Sequence, residues 1–107
     1  MVASTFKALA DPTRARVVLA LGGGERSVSE LVAWLDLPQS NVSRHLAVLR
    51  AADVVAARRE ASHVYYRLAD AHVGDLVAQA FAHAEHVRLG LPDHGPPVRR
   101  AAALESA

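Results

Sequence analysis

The sequence predicts a mainly α-helical chain with one β-hairpin: a winged helix-turn-helix that forms a homodimer through its terminal helices. Three observations lead there. Apolar residues recur at helical spacing in five segments. A short helix, a tight Leu37-Pro38 break and a longer helix from Gln39 have the lengths of a helix-turn-helix core. Two strand-like runs then follow, joined across Glu60-Ala61-Ser62 and ahead of a long last helix.

The opening segment, Val2 to Ala10, places Val2, Phe6 and Leu9 at helical spacing. Asp11-Pro12 reads as a capping carboxylate followed by a first-turn proline, which starts a second helix through Val17, Val18 and Leu21. Gly22-Gly23-Gly24 ends it. The triplet lacks other glycine-rich loop features, so it reads as a helix stop rather than a phosphate cradle. Ser27 and Glu30 have capping-box spacing, with Ser29 an equally good cap, and either start gives a short helix containing Leu31, Val32 and Leu35. The next helix runs from about Gln39 to Ala52. Val54 to Arg59 and His63 to Leu68 read as strands, with Trp34 and Tyr65 as core or interface residues and Tyr66 facing outward. A long helix spans Asp70 to Arg88. Gly90, Pro92, Gly95, Pro96 and Pro97 break it, so residues 1–91 are expected to form the functional and dimerising domain and residues 92–107 a mobile tail.

The 107 residues fit one small domain. Of the 55 residues in the hydrophobic fraction, 22 are alanine, which favours helix but buries little area. A lone monomer would have a thin core, which is the compositional reason to expect a dimer. The absence of cysteine removes disulfides, iron–sulfur ligation, thiolate metal sites and cysteine nucleophiles together. No apolar run approaches the roughly 20 residues of a membrane span, and no signal-peptide pattern opens the chain, so a cytoplasmic protein without membrane contact is expected. A net charge of +1 is nearly silent about partners, since a local basic face can coexist with a near-neutral total.

On the Gln39 to Ala52 helix, Val42, Leu46 and Leu49 share the face that anchors to the core. Gln39 opens the helix, and Ser40, Asn41, Ser43, Arg44 and Ala47 project roughly opposite that face. Arg44 suits a guanine edge or a phosphate, and Asn41 and the serines supply short hydrogen-bonding groups. The helix N-terminus adds backbone N–H groups suited to phosphate. His45 falls at the core boundary. Arg58 and Arg59 precede the hairpin turn and Arg67 lies on its second strand, where a wing would meet the DNA backbone. Alone, such charges are an ordinary solvated face; with the helix-turn-helix spacing and the wing, they point to double-stranded DNA.

Four of the six histidines fall between positions 72 and 94. His83 and His86 are three apart and share a helical face. His72 and His83 return to nearly the same angle, but eleven residues rise roughly 16 Å along one helix. Nitrogens sharing one metal at about 2 Å each cannot be so far apart. An antiparallel partner helix resolves this by bringing Asp70 and His72 of one protomer to His83 and His86 of the partner subunit. Three imidazoles and a carboxylate suit tetrahedral zinc, and imidazoles also accept cobalt or nickel. Asp70 has the plainer role of capping its helix as well. A catalytic zinc with Glu85 as base is the enzyme alternative. Four protein ligands between packed helices leave neither an open coordination position nor a substrate pocket, and no hydrolytic signature is present, so neither catalysis nor a small organic substrate is expected.

The stretches LADPTRARVVLAL, VSELVAWLDLPQSNVSRHLAVLRAADVV, RREASHVYYRL and DAHVGDLVAQAFAHAEH resemble the ArsR/SmtB family of bacterial metal-responsive repressors, over approximately Phe6 to Asp93. The resemblance implies a dimeric winged-helix repressor that binds operator DNA when metal-free and releases it when metal binds. It maps the metal ligands of the branch sensing at the last helix to Asp70, His72, His83 and His86. The family's arsenic, cadmium and lead sensors carry Cys-Val-Cys where this chain has Ser27-Val28-Ser29, so that thiolate site cannot form. Ala61 replaces a glycine common in the wing turn, which should alter its geometry without abolishing the wing. The ending HAEHVRLGLPDH is similar to the nickel/cobalt-sensing members, which recruit extra histidines. Here Arg88 occupies one such position, and His94 is the remaining candidate. Zinc is therefore preferred, with cobalt or nickel the alternative. By the same resemblance, the non-ligating N–H of His83 would bond the backbone carbonyl of Asp53, linking the metal site to the end of the DNA-reading helix. The competing reading is a winged-helix repressor with a non-metal effector or none.

Overall fold

The computed structural model describes residues 2–89, with side chains through Glu85. The helices are α1 (Val2–Leu9), α2 (Pro12–Leu21), α3 (Val28–Leu35), α4 (Gln39–Ala51) and α5 (Ala71–Leu89). The strands are β1 (Arg26–Ser27), β2 (Val55–Glu60) and β3 (His63–Leu68), forming one antiparallel sheet in the order β1-β3-β2. The five helices and the hairpin match the expected fold class. Two units divide the chain, one ending at Val77 and the other beginning at Ala78. The expected tail, 92–107, and its boundary at residue 91 lie outside the described residues.

Local chemistry accounts for the element boundaries. Asp11 caps α2 by accepting from the amides of Thr13 at 2.8 Å and Arg14 at 3.1 Å, with Pro12 in the first turn. The Arg14 amide bond is the main reason the Asp11 carboxyl sits below the usual carboxylate range. Ser27, rather than Ser29, caps α3. Its hydroxyl accepts from the Glu30 amide, and the Glu30 carboxylate accepts from the Ser27 amide. At the end of α3, Asp36 takes a left-handed conformation, and Leu37-Pro38 turns the chain into α4. Asp53, also left-handed, closes α4: its amide donates to the Arg50 carbonyl and the Val54 amide to the Leu49 carbonyl, a Schellman turn.

The first unit packs around Leu31, Leu46, Leu49, Val17, Val18, Val42 and Val54, all fully buried. This core joins α2, α3 and α4, the three helices that must be rigid for the helix-turn-helix to hold its angle. In the hairpin, Glu60 pairs with His63, so only Ala61 and Ser62 form the loop. Ala61 keeps a positive φ of 54°, a glycine-type conformation, so the wing turn is retained without the glycine.

One sequence expectation is corrected. Tyr66, expected to face outward, packs against the core beside Leu68, while Tyr65 lies on the opposite face. Strand register decides this: Val55↔Leu68 and Ala57↔Tyr66 share the inner face, and Ala56↔Arg67 and Arg58↔Tyr65 share the outer one. Of the two places expected for Trp34, core or interface, the core is the one it does not occupy. It is exposed on α3, with the Arg16 guanidinium 5.9 Å from its ring centre.

Candidate functional site

Helix α4 has the two-faced character needed of a DNA-reading element. Val42, His45, Leu46 and Leu49 are buried, while Gln39, Ser40, Ser43, Arg44 and Ala47 are exposed. Asn41 is half-buried, between the two faces. Pro38 caps the helix through its backbone carbonyl, which accepts from the Asn41 amide at 3.0 Å and the Val42 amide at 3.2 Å. No side chain caps this end, so its first-turn N–H groups suit an incoming anion. The inner face carries an anchor beyond apolar packing. His45 is only 8% exposed, and its Nδ1 lies 3.4 Å from the Arg14 guanidinium, whose Nε donates to the Ala8 carbonyl at 2.6 Å. Arg14 thereby connects the end of α1 to α4.

The wing arginines occupy different settings. Arg58 is held by two carboxylates: Glu25 accepts from its Nε at 3.0 Å and from one terminal nitrogen at 2.6 Å, and Glu60 accepts from the other at 2.7 Å. Its guanidinium also stacks 4.8 Å from the centre of the Tyr65 ring. The hydrogen bond from Arg58 pulls the Glu25 carboxyl below its ordinary range, and the two carboxylates push Arg58 upward. Arg59, on the opposite face of β2, is exposed and has no ion pair among the described residues. Arg67 is exposed on the same face as Arg58.

At the start of α5, Asp70 and His72 lie together. One Asp70 oxygen, Oδ1, accepts from the His72 amide at 2.9 Å and the Val73 amide at 3.3 Å, and lies 3.5 Å from His72 Nδ1. The helix cap therefore sets the carboxylate beside the imidazole. Both side chains are open to solvent, 55% and 96% exposed respectively. His83 is exposed on the second unit's part of α5. The His86 side chain and all of His94 lie outside the described residues. Among the described residues of this single chain, no three histidine or acidic side chains converge on one point.

Apolar side chains also stay open on both terminal helices. Val2 and Phe6 of α1 and Leu76 of α5 are exposed in the first unit, as is Phe81 in the second. No described helix is long and apolar enough to cross a membrane.

Three features escape a reading of the sequence. The two-residue β1 has no periodicity to detect. The Arg58–Glu25 and Arg14–His45 contacts join residues more than thirty positions apart. Only the inward side of Tyr66 had a signal: Val64, Tyr66 and Leu68 form an apolar stripe at strand spacing, alternating with His63, Tyr65 and Arg67.

A helix-turn-helix domain family matches residues 9–58, from the end of α1 into β2. The transcriptional regulator KmtR of Mycobacterium tuberculosis is 42% identical over 106 residues, with 99% of this chain and 79% of that protein covered. NmtR of the same species is 40% identical over 95 residues, with 89% and 79% covered. Its transcriptional repressor SmtB is 49% identical over 79 residues, with 74% and 58% covered. Among solved structures, the homodimeric winged helix-turn-helix DNA-binding domain Mb0332 of Mycobacterium bovis, a possible ArsR-family transcriptional regulator, superposes with a TM-score of 0.76. It is 31% identical, with 88% of this chain and 87% of that one covered. HlyU of Vibrio cholerae superposes with a TM-score of 0.69 at 35% identity, with 74% and 86% covered.

Proposed function

The chain belongs to the ArsR/SmtB family of winged-helix transcriptional regulators, and from that premise we propose that it is a homodimeric, metal-sensing repressor. Membership makes it a DNA-binding regulator and not an enzyme. In the proposed cycle the metal-free dimer binds operator DNA in the cytoplasm and releases it when zinc, or alternatively cobalt or nickel, occupies the site on α5.

The single observation that carries this reading is the exposed Asp70–His72 pair. A carboxylate and an imidazole stand side by side at the start of α5, and their chemistry suits a divalent ion of this class. His83 and His86 of the partner subunit would supply the other two donors, with His94 a further candidate. The exposed apolar residues Val2, Phe6 and Leu76 support pairing through the terminal helices.

The chain's own groups supply the DNA-binding half. Arg44, with Gln39, Ser40, Asn41 and Ser43, would read the major groove, and the N-terminus of α4, which no side chain caps, would receive a backbone phosphate. Arg59 would meet a flanking phosphate from the wing, with Arg58 beside it on β2 already paired to Glu25 and Glu60. Two such helices would enter successive grooves about 34 Å apart. Asp53 closes α4 at the point where a bond from His83 would transmit occupancy of the site to that helix.

The capping work already done by Asp70 favours one other reading, in which the acid is structural and the repressor answers to a different effector or none. One experiment separates them. A fluorescent operator, selected from random duplexes with EDTA-treated protein, is titrated in complex with zinc, cobalt and nickel. Release reversed by EDTA is expected. A complex indifferent to all three metals sinks the metal-sensing reading.

A further inference from the structure

The wing carries a contact that its sequence does not suggest. Glu25 sits just before β1 and Arg58 on β2, with β3 between them in the sheet. The Glu25 side chain reaches across β3 to take two donors of the Arg58 guanidinium, while Glu60 takes a third and Tyr65 lies beneath. This bidentate, stacked geometry is the kind in which a surface ion pair is held rather than transient. Its consequence is electrostatic. Glu25, Arg58, Glu60 and Arg67 occupy the same side of the wing, and their formal charges cancel. Arg59, on the other face of the strand, has no such counter-charge among the described residues.

We propose that Glu25 is a brake on DNA affinity: it holds Arg58 against the sheet, so β2 offers phosphate one unpaired cation, Arg59, where it carries two. Glu25 acts through Arg58 and is a positioning residue. The inference rests on reading the wing as a DNA contact. Removing the brake frees a phosphate ligand and deletes a charge that repels the backbone, so affinity rises. Each new phosphate contact steepens the dependence of log affinity on log salt by about 0.9. A dimer gains about two such contacts, one per protomer.

The test is anisotropy of a fluorescein-labelled duplex of mixed sequence, since phosphate contacts are sequence-independent. Protein is used with EDTA across a salt series, and circular dichroism confirms each variant is folded. Glu25→Gln should bind about three- to tenfold more tightly at low salt, with a slope steeper by about 1.8. Glu60→Gln should move affinity in the same direction. Asp75→Asn removes the same charge from α5 and should leave affinity within about twofold of native. In an Arg58→Ala background the gain from Glu25→Gln should fall below about twofold, the non-additivity of two groups acting together. Unchanged or weaker binding by folded Glu25→Gln overturns the proposal, as does a full gain in the absence of Arg58. Native protein that binds no duplex at any salt overturns the DNA reading itself, and this inference with it.

Discussion

Asp70 caps α5 and is proposed as a metal ligand, two roles that substitution can separate. Its Oδ1 accepts two helix amides, from His72 and Val73, and stands beside the imidazole of His72. Asparagine keeps a side-chain oxygen for the amides but removes the carboxylate charge from the proposed metal site. Alanine removes both. Loss of an N-cap typically costs about 1 kcal/mol, and the exposure of Asp70 keeps the cost near that value. In a chain of 107 residues this lowers the melting temperature by about 4 °C. Asp70→Ala should therefore melt about 4 °C below the native protein and Asp70→Asn within about 1 °C of it, at equal protomer concentration because a dimer's melting depends on it. Both should lose zinc affinity. Removing a group that merely supports a ligand costs about 10–100-fold, so loss of a ligand should cost at least that. Thermal circular dichroism of EDTA-treated protein and zinc competition against a chromophoric chelator read the two effects. If Asp70→Asn bound zinc like the native protein, the acid would be a cap and nothing more. If it melted with Asp70→Ala, the capping argument would fail.

Other residues give independent tests. Arg44→Ala should weaken operator binding by about 1–3 kcal/mol per half-site with zinc affinity unchanged, as measured by anisotropy and chelator competition; loss of zinc binding would show that the substitution damages the fold. Ala61→Gly should stabilise the protein by about 1 kcal/mol, because φ of 54° suits glycine, and a lower melting temperature would contradict the turn assignment. Leu46→Ala, in the fully buried centre of α4, should cost about 2–5 kcal/mol in denaturant unfolding; a loss below 1 kcal/mol would argue against that packing.

What could be read from the sequence followed the range of the interaction responsible. Asp11-Pro12, the Ser27–Glu30 box and the hairpin are fixed by residues within a few positions, and all appear where their local chemistry places them. The Asp70–His72 half of the candidate metal site is local too, which is why spacing alone could nominate it. Features set by tertiary contact were not legible. Strand β1 exists because Arg26 and Ser27 meet Tyr66 and Tyr65 of β3, nearly forty residues on. Arg58 looks like a free cation until Glu25 is folded onto it. Arg44 and Ser43 reach the surface as their helical angle predicts, whereas Asn41 stops halfway, at the border of the buried face.

Coupling between the histidines of α5 and the DNA-reading helix is tested by operator affinity with EDTA and with zinc, for the native protein and for His83→Gln. Native affinity should fall by about 5–150-fold when zinc is added, the usual range of an allosteric coupling. His83→Gln should match the native protein in EDTA and keep most of that affinity in zinc. A His83→Gln protein that lets go of the operator as the native one does would contradict the link through Asp53. Native affinity identical in EDTA, zinc, cobalt and nickel would contradict metal sensing altogether.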